Sequence, residues 1–200
     1  MLLIAGLAVQ SVAAFLRTDA RTARSPCDAF DVIDTDKTMG SNALKDLSRL
    51  PVLKMTHDEA AGPTVNILND KMKTGLPGGG PTLVVFWSTA CSGCLAQLSS
   101  FLQTARRWKN HGGSTFLVAV DDDFTTLNRF FASHPALLHP AERIFFVWDK
   151  GGKARKSFGV SKYPETYILD KNGTIIFKVE GERDWNSTAA RKCLLHAVYR

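Results

Sequence analysis

The sequence predicts an α/β fold, a central mixed β-sheet flanked by helices, with an N-terminal signal or anchor and a linker ahead of it. Three observations lead there. Two continuous apolar, β-rich runs, residues 82–87 and 115–120, enclose a segment whose apolar residues recur at helical spacing. Two further β-rich runs, 165–170 and 174–181, are joined by a turn containing Asn172-Gly173, a strong hairpin signal. The composition, 44% apolar and 22% charged over 200 residues, is that of a globular chain with room for one sizeable core.

From the N-terminus, residues 1–16 are almost wholly apolar and are followed by Arg17, Arg21 and Arg24. Sixteen helical residues reach about 24 Å, short of the roughly 20 residues that cross a bilayer comfortably, so the stretch reads as a secretory signal peptide or a membrane anchor. The arginines follow the apolar run rather than precede it, which by the positive-inside rule opposes export of the C-terminal side. Export remains the expectation, and with it an oxidising compartment. Residues 17–61 read as a polar linker with one or two helical turns, the clearest around Leu44, Leu47 and Leu50 before Pro51.

Residues 62–200 are expected to form the folded domain. A short strand is expected at 64–68, and the glycine- and proline-rich stretch 75–81 marks a loop. The run 82–87 is a strand buried on both faces. Cys94, Leu95, Leu98, Phe101, Leu102, Ala105 and Trp108 then form one face of a helix that ends at Gly112-Gly113. A second buried strand covers 115–120. Residues 121–134 supply caps and a helix with Phe124, Leu127, Phe130 and Phe131 on its apolar side. A strand is expected at 143–149, then the hairpin, then a closing helix from Trp185 to Tyr199 capped by Asp184.

The net charge of +6 is spread in short groups such as Arg106, Arg107 and Lys109, a pattern of solvated faces that predicts no nucleic-acid partner. The chemistry concentrates at Cys91 and Cys94, which straddle the start of a helix after a buried strand. Residues three apart there have β-carbons about 5–6 Å apart, close enough that small adjustments open or close a disulfide. Unpaired N–H groups and the helix dipole favour an anion at the first turn, so Cys91 is the candidate nucleophile. Cys94, on the apolar face, is the candidate resolving thiol.

Other readings of the pair are weaker. Zinc needs four ligands, and Cys27 and Cys193 stand alone while His134 and His139 bracket Pro135. A purely structural bond closing so short a loop removes little chain entropy. A peroxidatic site would use Ser88, three residues before Cys91, but Val84 stands where that motif has proline. No metal and no cofactor are therefore assigned. A copper-binding or adaptor module for metalloprotein assembly is the rival from another class, since soft thiolates suit Cu(I), yet only Met55 and Met72 lie loosely upstream.

The chain resembles the thioredoxin superfamily, specifically the TlpA/ResA-like thiol–disulfide oxidoreductases, through "LVVFWSTACSGC" (83–94), "GVSKYPETYILDKNGTIIFKVEG" (159–181) and the apolar N-terminus. The resemblance implies a thioredoxin-like fold over about 62–199 and a cis-proline at Pro164 beside the cysteines. It implies substrate contacts from Trp87, Ala90, Ser92, Gly93, Tyr163 and Pro164. It further implies periplasmic or extracytoplasmic work on protein thiols and disulfides as a reductase, fed by an upstream envelope electron donor and connected with cytochrome c biogenesis.

Departures are specific. Ala90 replaces a common Trp, Ser92-Gly93 lacks the usual proline, Val85 replaces a buried Asp, and Gln97 stands where many relatives have an acid. Glu165, next to Pro164, is then the nearest carboxylate by motif position and the candidate proton acceptor for Cys94. Cys27 and Cys193 are an additional pair, expected to form a structural disulfide between the extension and the last helix.

Overall fold

The computed structural model describes residues 25–30, 33–34, 46–58, 62–68, 80–138 and 142–199. The expected signal or anchor, 1–16, lies outside the described residues. Eight strands form one mixed sheet among them: β1 (Ile33–Asp34), β2 (Val52–Asp58), β3 (Gly62–Leu68), β4 (Thr82–Trp87), β5 (Ser114–Ala119), β6 (Ile144–Trp148), β7 (Glu165–Leu169) and β8 (Ile175–Glu180). Their order is β1-β8-β7-β4-β5-β6-β2-β3. The β4, β5 and β6 strands run parallel, and β7 runs antiparallel to β4. Parallel strands joined by crossovers have both faces covered, which is why β4 and β5 are buried at every position and read as unbroken apolar runs.

Helices α1 (Ser92–Trp108), α2 (Phe124–Ser133), α3 (Lys153–Phe158) and α4 (Thr188–Val198) cover the sheet. Alternation along β4 sorts the core into two layers. Leu83, Val85 and Trp87 face Cys94, Leu98 and Phe101 of α1, Leu127 and Phe131 of α2, and Leu194 of α4. Val84 and Phe86 face Ala154 and Phe158 of α3, with Leu47 and Leu50.

Three sequence expectations are corrected. The stretch 17–61 is more than a linker, because β2 pairs with β3 along its full length and with β6 through Val52 and Val147. Leu47 and Leu50 are buried beneath the sheet, and Asp46 binds Ser157 at 2.7 Å and Lys153 at 3.2 Å. The helix α3 was not expected; its first N–H groups are capped from upstream, Asp149 accepting from Ala154 at 2.9 Å and Arg155 at 2.8 Å. The N-cap of α4 is Ser187, which accepts from the Ala190 N–H at 3.1 Å, whereas Asp184 accepts from the Asn186 N–H at 2.9 Å. Burial of Trp185, whose carbonyl accepts the Thr104 hydroxyl at 2.8 Å, delays the helix by one turn.

Candidate active site at the Cys91–Cys94 disulfide

The strand β4 delivers the chain to a short loop, and α1 begins immediately after Cys91, which serves as its N-cap. Cys91 and Cys94 are joined by a disulfide with α-carbons 5.2 Å apart. The Cys91 Sγ accepts the Cys94 N–H at 3.1 Å, so a helix-terminal donor already points at the sulfur that would carry a thiolate charge. Cys94 is 2% exposed and Cys91 is half-buried. An incoming disulfide can thus reach the first sulfur and not the second.

The loop ahead of Cys91 is held by Asp121, a residue whose part in the site had no signal in the sequence beyond its place in an acidic triplet. Its carboxylate accepts from the Thr89 N–H at 3.0 Å, from the Ser88 hydroxyl at 3.2 Å and from the Thr89 hydroxyl. Its carbonyl accepts the Trp148 indole N–H at 2.7 Å. Ser88 also accepts the Ala90 N–H at 3.1 Å, so its hydroxyl is engaged within the loop. His134 stacks on Phe130 with centroids 4.6 Å apart, and its proposed zinc partner His139 lies outside the described residues. No group of three or more metal-ligating side chains occurs among the described residues.

Across from the cysteines, the Tyr163–Pro164 peptide bond is cis. A β-carbon built on Gly93 would lie 3.8 Å from Pro164 Cδ, which places the proline ring against the Ser92-Gly93 turn. The Pro164 carbonyl accepts the Gly181 N–H at 2.8 Å, and the Tyr163 hydroxyl accepts from Arg155 at 3.3 Å. Ala90 and Ser92 are exposed and Tyr163 and Gly93 half-buried, so all four border the surface around Cys91. Trp87 does not: it is 1% exposed and packs on Phe130 and Phe131, supporting the loop from within the core as Phe86 does from the other layer.

Glu165 is displaced from its expected role by strand alternation. It pairs in register with Phe86, so its side chain lies on the α3 face, opposite the face that carries α1 and Cys94. There the carboxylate, with no solvent exposure, accepts from the Tyr167 hydroxyl, the Ser161 N–H at 3.3 Å and the Lys178 ammonium at 3.1 Å. Burial first, and then the neighbouring Glu165 carboxylate, push the Tyr167 hydroxyl well above its ordinary value. Burial alone would lower the Lys178 ammonium, but its bonds to Glu180 and Glu165 outweigh that and raise it. Bonds from Lys162 and Lys178 hold Glu180 down to about 2.

Gln97 occupies the position of the missing acid, 4% exposed on α1. Its Oε1 accepts the Arg183 N–H and the Trp185 indole N–H, both at 3.1 Å. The neutral amide therefore fastens the segment after β8 to the redox helix. That segment and α1 border an open polar bay of about 520 Å³ lined by Ala96, Gln97, Ser100, Glu182, Arg183 and Asp184.

Cys27 and Cys193 form a second disulfide, fully buried, with α-carbons 4.3 Å apart. It joins the turn before Asp28–Phe30 to α4. Phe30 packs edge-on against Trp185 at 5.1 Å, and Trp185 against Phe101 of α1 at 4.9 Å.

Comparisons with known proteins agree with this geometry. The AhpC/TSA family matches residues 63–178. A thiol-disulfide oxidoreductase ResA of Bacillus thuringiensis subsp. konkukian is 28% identical over 99 residues, 49% of this chain and 53% of the relative. A ResA from Bacillus cereus matches to the same extent. The chain spans about half the length of the curated relatives it matches. Among solved structures, a protein of Chlorobium tepidum described as a thiol:disulfide interchange protein DsbE superposes with a TM-score of 0.52 at 22% identity, covering 74% of this chain and 94% of that one. With its parallel β4-β5-β6 core, its cysteine pair at the start of α1 and its family match across most of the sheet, the chain belongs to the thioredoxin-like AhpC/TSA family.

Proposed function

We propose that the protein is a thiol–disulfide oxidoreductase acting on protein cysteines outside the cytoplasm, and that it works as a reductase. The observation that carries the reading is the asymmetry of the pair: a half-buried Cys91 at a helix N-terminus, a buried Cys94 behind it, and cis-Pro164 opposite. The reduced protein's Cys91 thiolate attacks one sulfur of a substrate disulfide, forming a mixed disulfide and releasing one substrate thiolate. Cys94 gives its proton to the released substrate thiolate and, as a thiolate, attacks the Cys91 sulfur, releasing the second substrate thiolate and closing Cys91–Cys94. Two electrons pass to the substrate, and a dithiol donor restores them. The backbone of Tyr163, just ahead of cis-Pro164, offers hydrogen-bonding groups to an extended substrate segment.

Two observations favour an oxidising compartment. The buried Cys27–Cys193 bond is of a type that persists outside the cytoplasm. The apolar run 1–16 has the composition of a signal or a tether, although no helix among the described residues is long and apolar enough to cross a membrane.

Insulin reduction by the dithiol-treated protein tests the activity. Turnover abolished in Cys91→Ser, with a trapped mixed disulfide in Cys94→Ser, is the expected result; tight Cu(I) binding without turnover would instead support the copper module. A reduction potential near about −270 mV agrees with a reductase, and one near about −120 mV contradicts it.

A further inference from the structure

Glu182 is an exposed residue two positions past the end of β8, and its position is fixed from both sides. Before it, Gly181 adopts a φ of +81°, a left-handed conformation that glycine takes without penalty, while its N–H donates to the Pro164 carbonyl at 2.8 Å. After it, the Arg183 N–H donates to Gln97 Oε1 at 3.1 Å. One neighbour is thus tied to the cis-proline strand and the other to α1. Between them Glu182 is brought against the turn between the two cysteines: a β-carbon on Gly93 would stand 3.2 Å from Glu182 Oε2 and 3.6 Å from Glu182 Cβ.

We propose that Glu182 is a positioning charge for the Cys91 nucleophile, destabilising its thiolate and so making the Cys91–Cys94 couple more reducing. The inference rests on the oxidoreductase reading above. Reduction of the bond is disulfide + 2 electrons + 1 proton, giving the Cys91 thiolate and the Cys94 thiol, so the reduced form carries a new negative charge beside Ser92-Gly93. The α1 N-terminus attracts that charge and Glu182 repels it.

Other charged groups near the pair are engaged elsewhere, among them Arg155 with the Tyr163 hydroxyl at 3.3 Å and Asp122 at 3.8 Å, and Lys162 with Glu180 at 2.6 Å. Asp121 is bonded to Ser88 and Thr89 in the loop, and Glu165 lies on the opposite face of the sheet with Lys178. Arg183 turns its guanidinium to the Glu182 carbonyl at 2.8 Å, and Asp184 accepts the Asn186 N–H. Val85 on β4 and Gln97 on α1 are neutral side chains. Among the described residues, Glu182 is therefore the carboxylate that lies against the cysteine turn itself.

The test equilibrates the full protein with reduced and oxidised glutathione, which supplies two electrons per disulfide, and titrates the Cys91 thiolate by its absorbance near about 240 nm. An exposed carboxylate roughly one residue away in a water-rich site changes such an equilibrium by about three- to tenfold. Glu182→Gln is expected to shift the couple toward the reduced form by that factor, where tenfold corresponds to about 30 mV, and to move the thiolate titration to lower pH. Glu182→Asp should retain most of the wild-type behaviour. Gly93→Ala, whose methyl requires the carboxylate to yield by only a few tenths of an ångström, should leave the couple close to wild type. An unmoved equilibrium and titration in Glu182→Gln overturn the proposal. A wild-type protein that never equilibrates reversibly with glutathione overturns the oxidoreductase reading itself, a distinct outcome.

Discussion

The Lys178 ammonium lies 3.1 Å from the Glu165 carboxylate, a charge with no solvent exposure directly after cis-Pro164. Ser161, Tyr167 and Glu180 complete the network, which ties the loop entering β7 to the strand beside it. Removing one member leaves an uncompensated charge in a low-dielectric site. Lys178→Met is expected to destabilise the fold by about 3 kcal/mol in urea unfolding, and Lys178→Met combined with Glu165→Gln to recover part of that loss. Because Glu165 faces away from α1, Glu165→Gln alone should leave the pH–rate profile of Cys94 resolution unchanged.

The same network predicts a pH response. Glu180 is depressed from its ordinary 4.5 to about 2 by Lys162 and Lys178. Its stabilising contribution is complete above about pH 4.5 and is lost as pH falls through about 2. Thermal midpoints measured across that window should fall more steeply for the wild type than for Glu180→Gln, and equal slopes would show that the ion pairs contribute nothing to stability.

Gln97 satisfies two donors, the Trp185 indole and the Arg183 amide. Gln97→Ala removes the acceptor of both bonds, leaves the buried Trp185 indole N–H without its partner, and is expected to lower stability by about 2 kcal/mol. Gln97→Glu keeps an acceptor for each and should be far milder. Urea titration followed by tryptophan fluorescence separates the two outcomes.

Asp121 is expected to matter for rate more than for stability. Asp121→Ala releases the Thr89 amide and both loop hydroxyls, letting the Cys91 loop drift from its attacking position. Insulin reduction should fall about tenfold, consistent with the sensitivity of reaction rates to small misplacement. A rate within twofold of wild type, with the loop bonds lost, would show that the loop needs no such anchor.

The two disulfides should separate under mild reductant. Thiolate exchange requires access to a sulfur, and Cys27 and Cys193 are both fully buried while Cys91 is half-buried. Mass mapping during stepwise reduction is expected to show Cys91 and Cys94 alkylated first. Replacing Cys27 and Cys193 by alanine should lower stability by about 3 kcal/mol with insulin reduction retained.

Much of the site was legible in the sequence because its parts are local. An apolar run ending in two cysteines three apart already implies a strand, a helix start and an accessible first sulfur. What escaped depended on partners distant in the chain. The strand Val52–Asp58 alternates weakly and follows a proline, and its place in the sheet comes from pairing with β3 and β6. The helix Lys153–Phe158 is too short for periodicity and takes its cap from Asp149. Glu165 looked adjacent to the cysteines because Pro164 is, yet successive strand residues point to opposite faces. Glu182 carries no motif at all; Gly181 and Gln97 bring it to Gly93.

Trp185 joins the two ends of the sulfur chemistry, packed edge-on against Phe30 near Cys27 and hydrogen-bonded to Gln97 on the helix that begins at Cys91. The consequence is mechanical. A pull on the chain upstream of Cys27 enters α4 through the Cys27–Cys193 bond and reaches α1 through Phe30, Trp185 and Gln97, a path that runs through neither β4 nor the loop before Cys91. The N-terminal end of the molecule is therefore coupled to the redox helix from its far side, through the same core layer that buries Cys94.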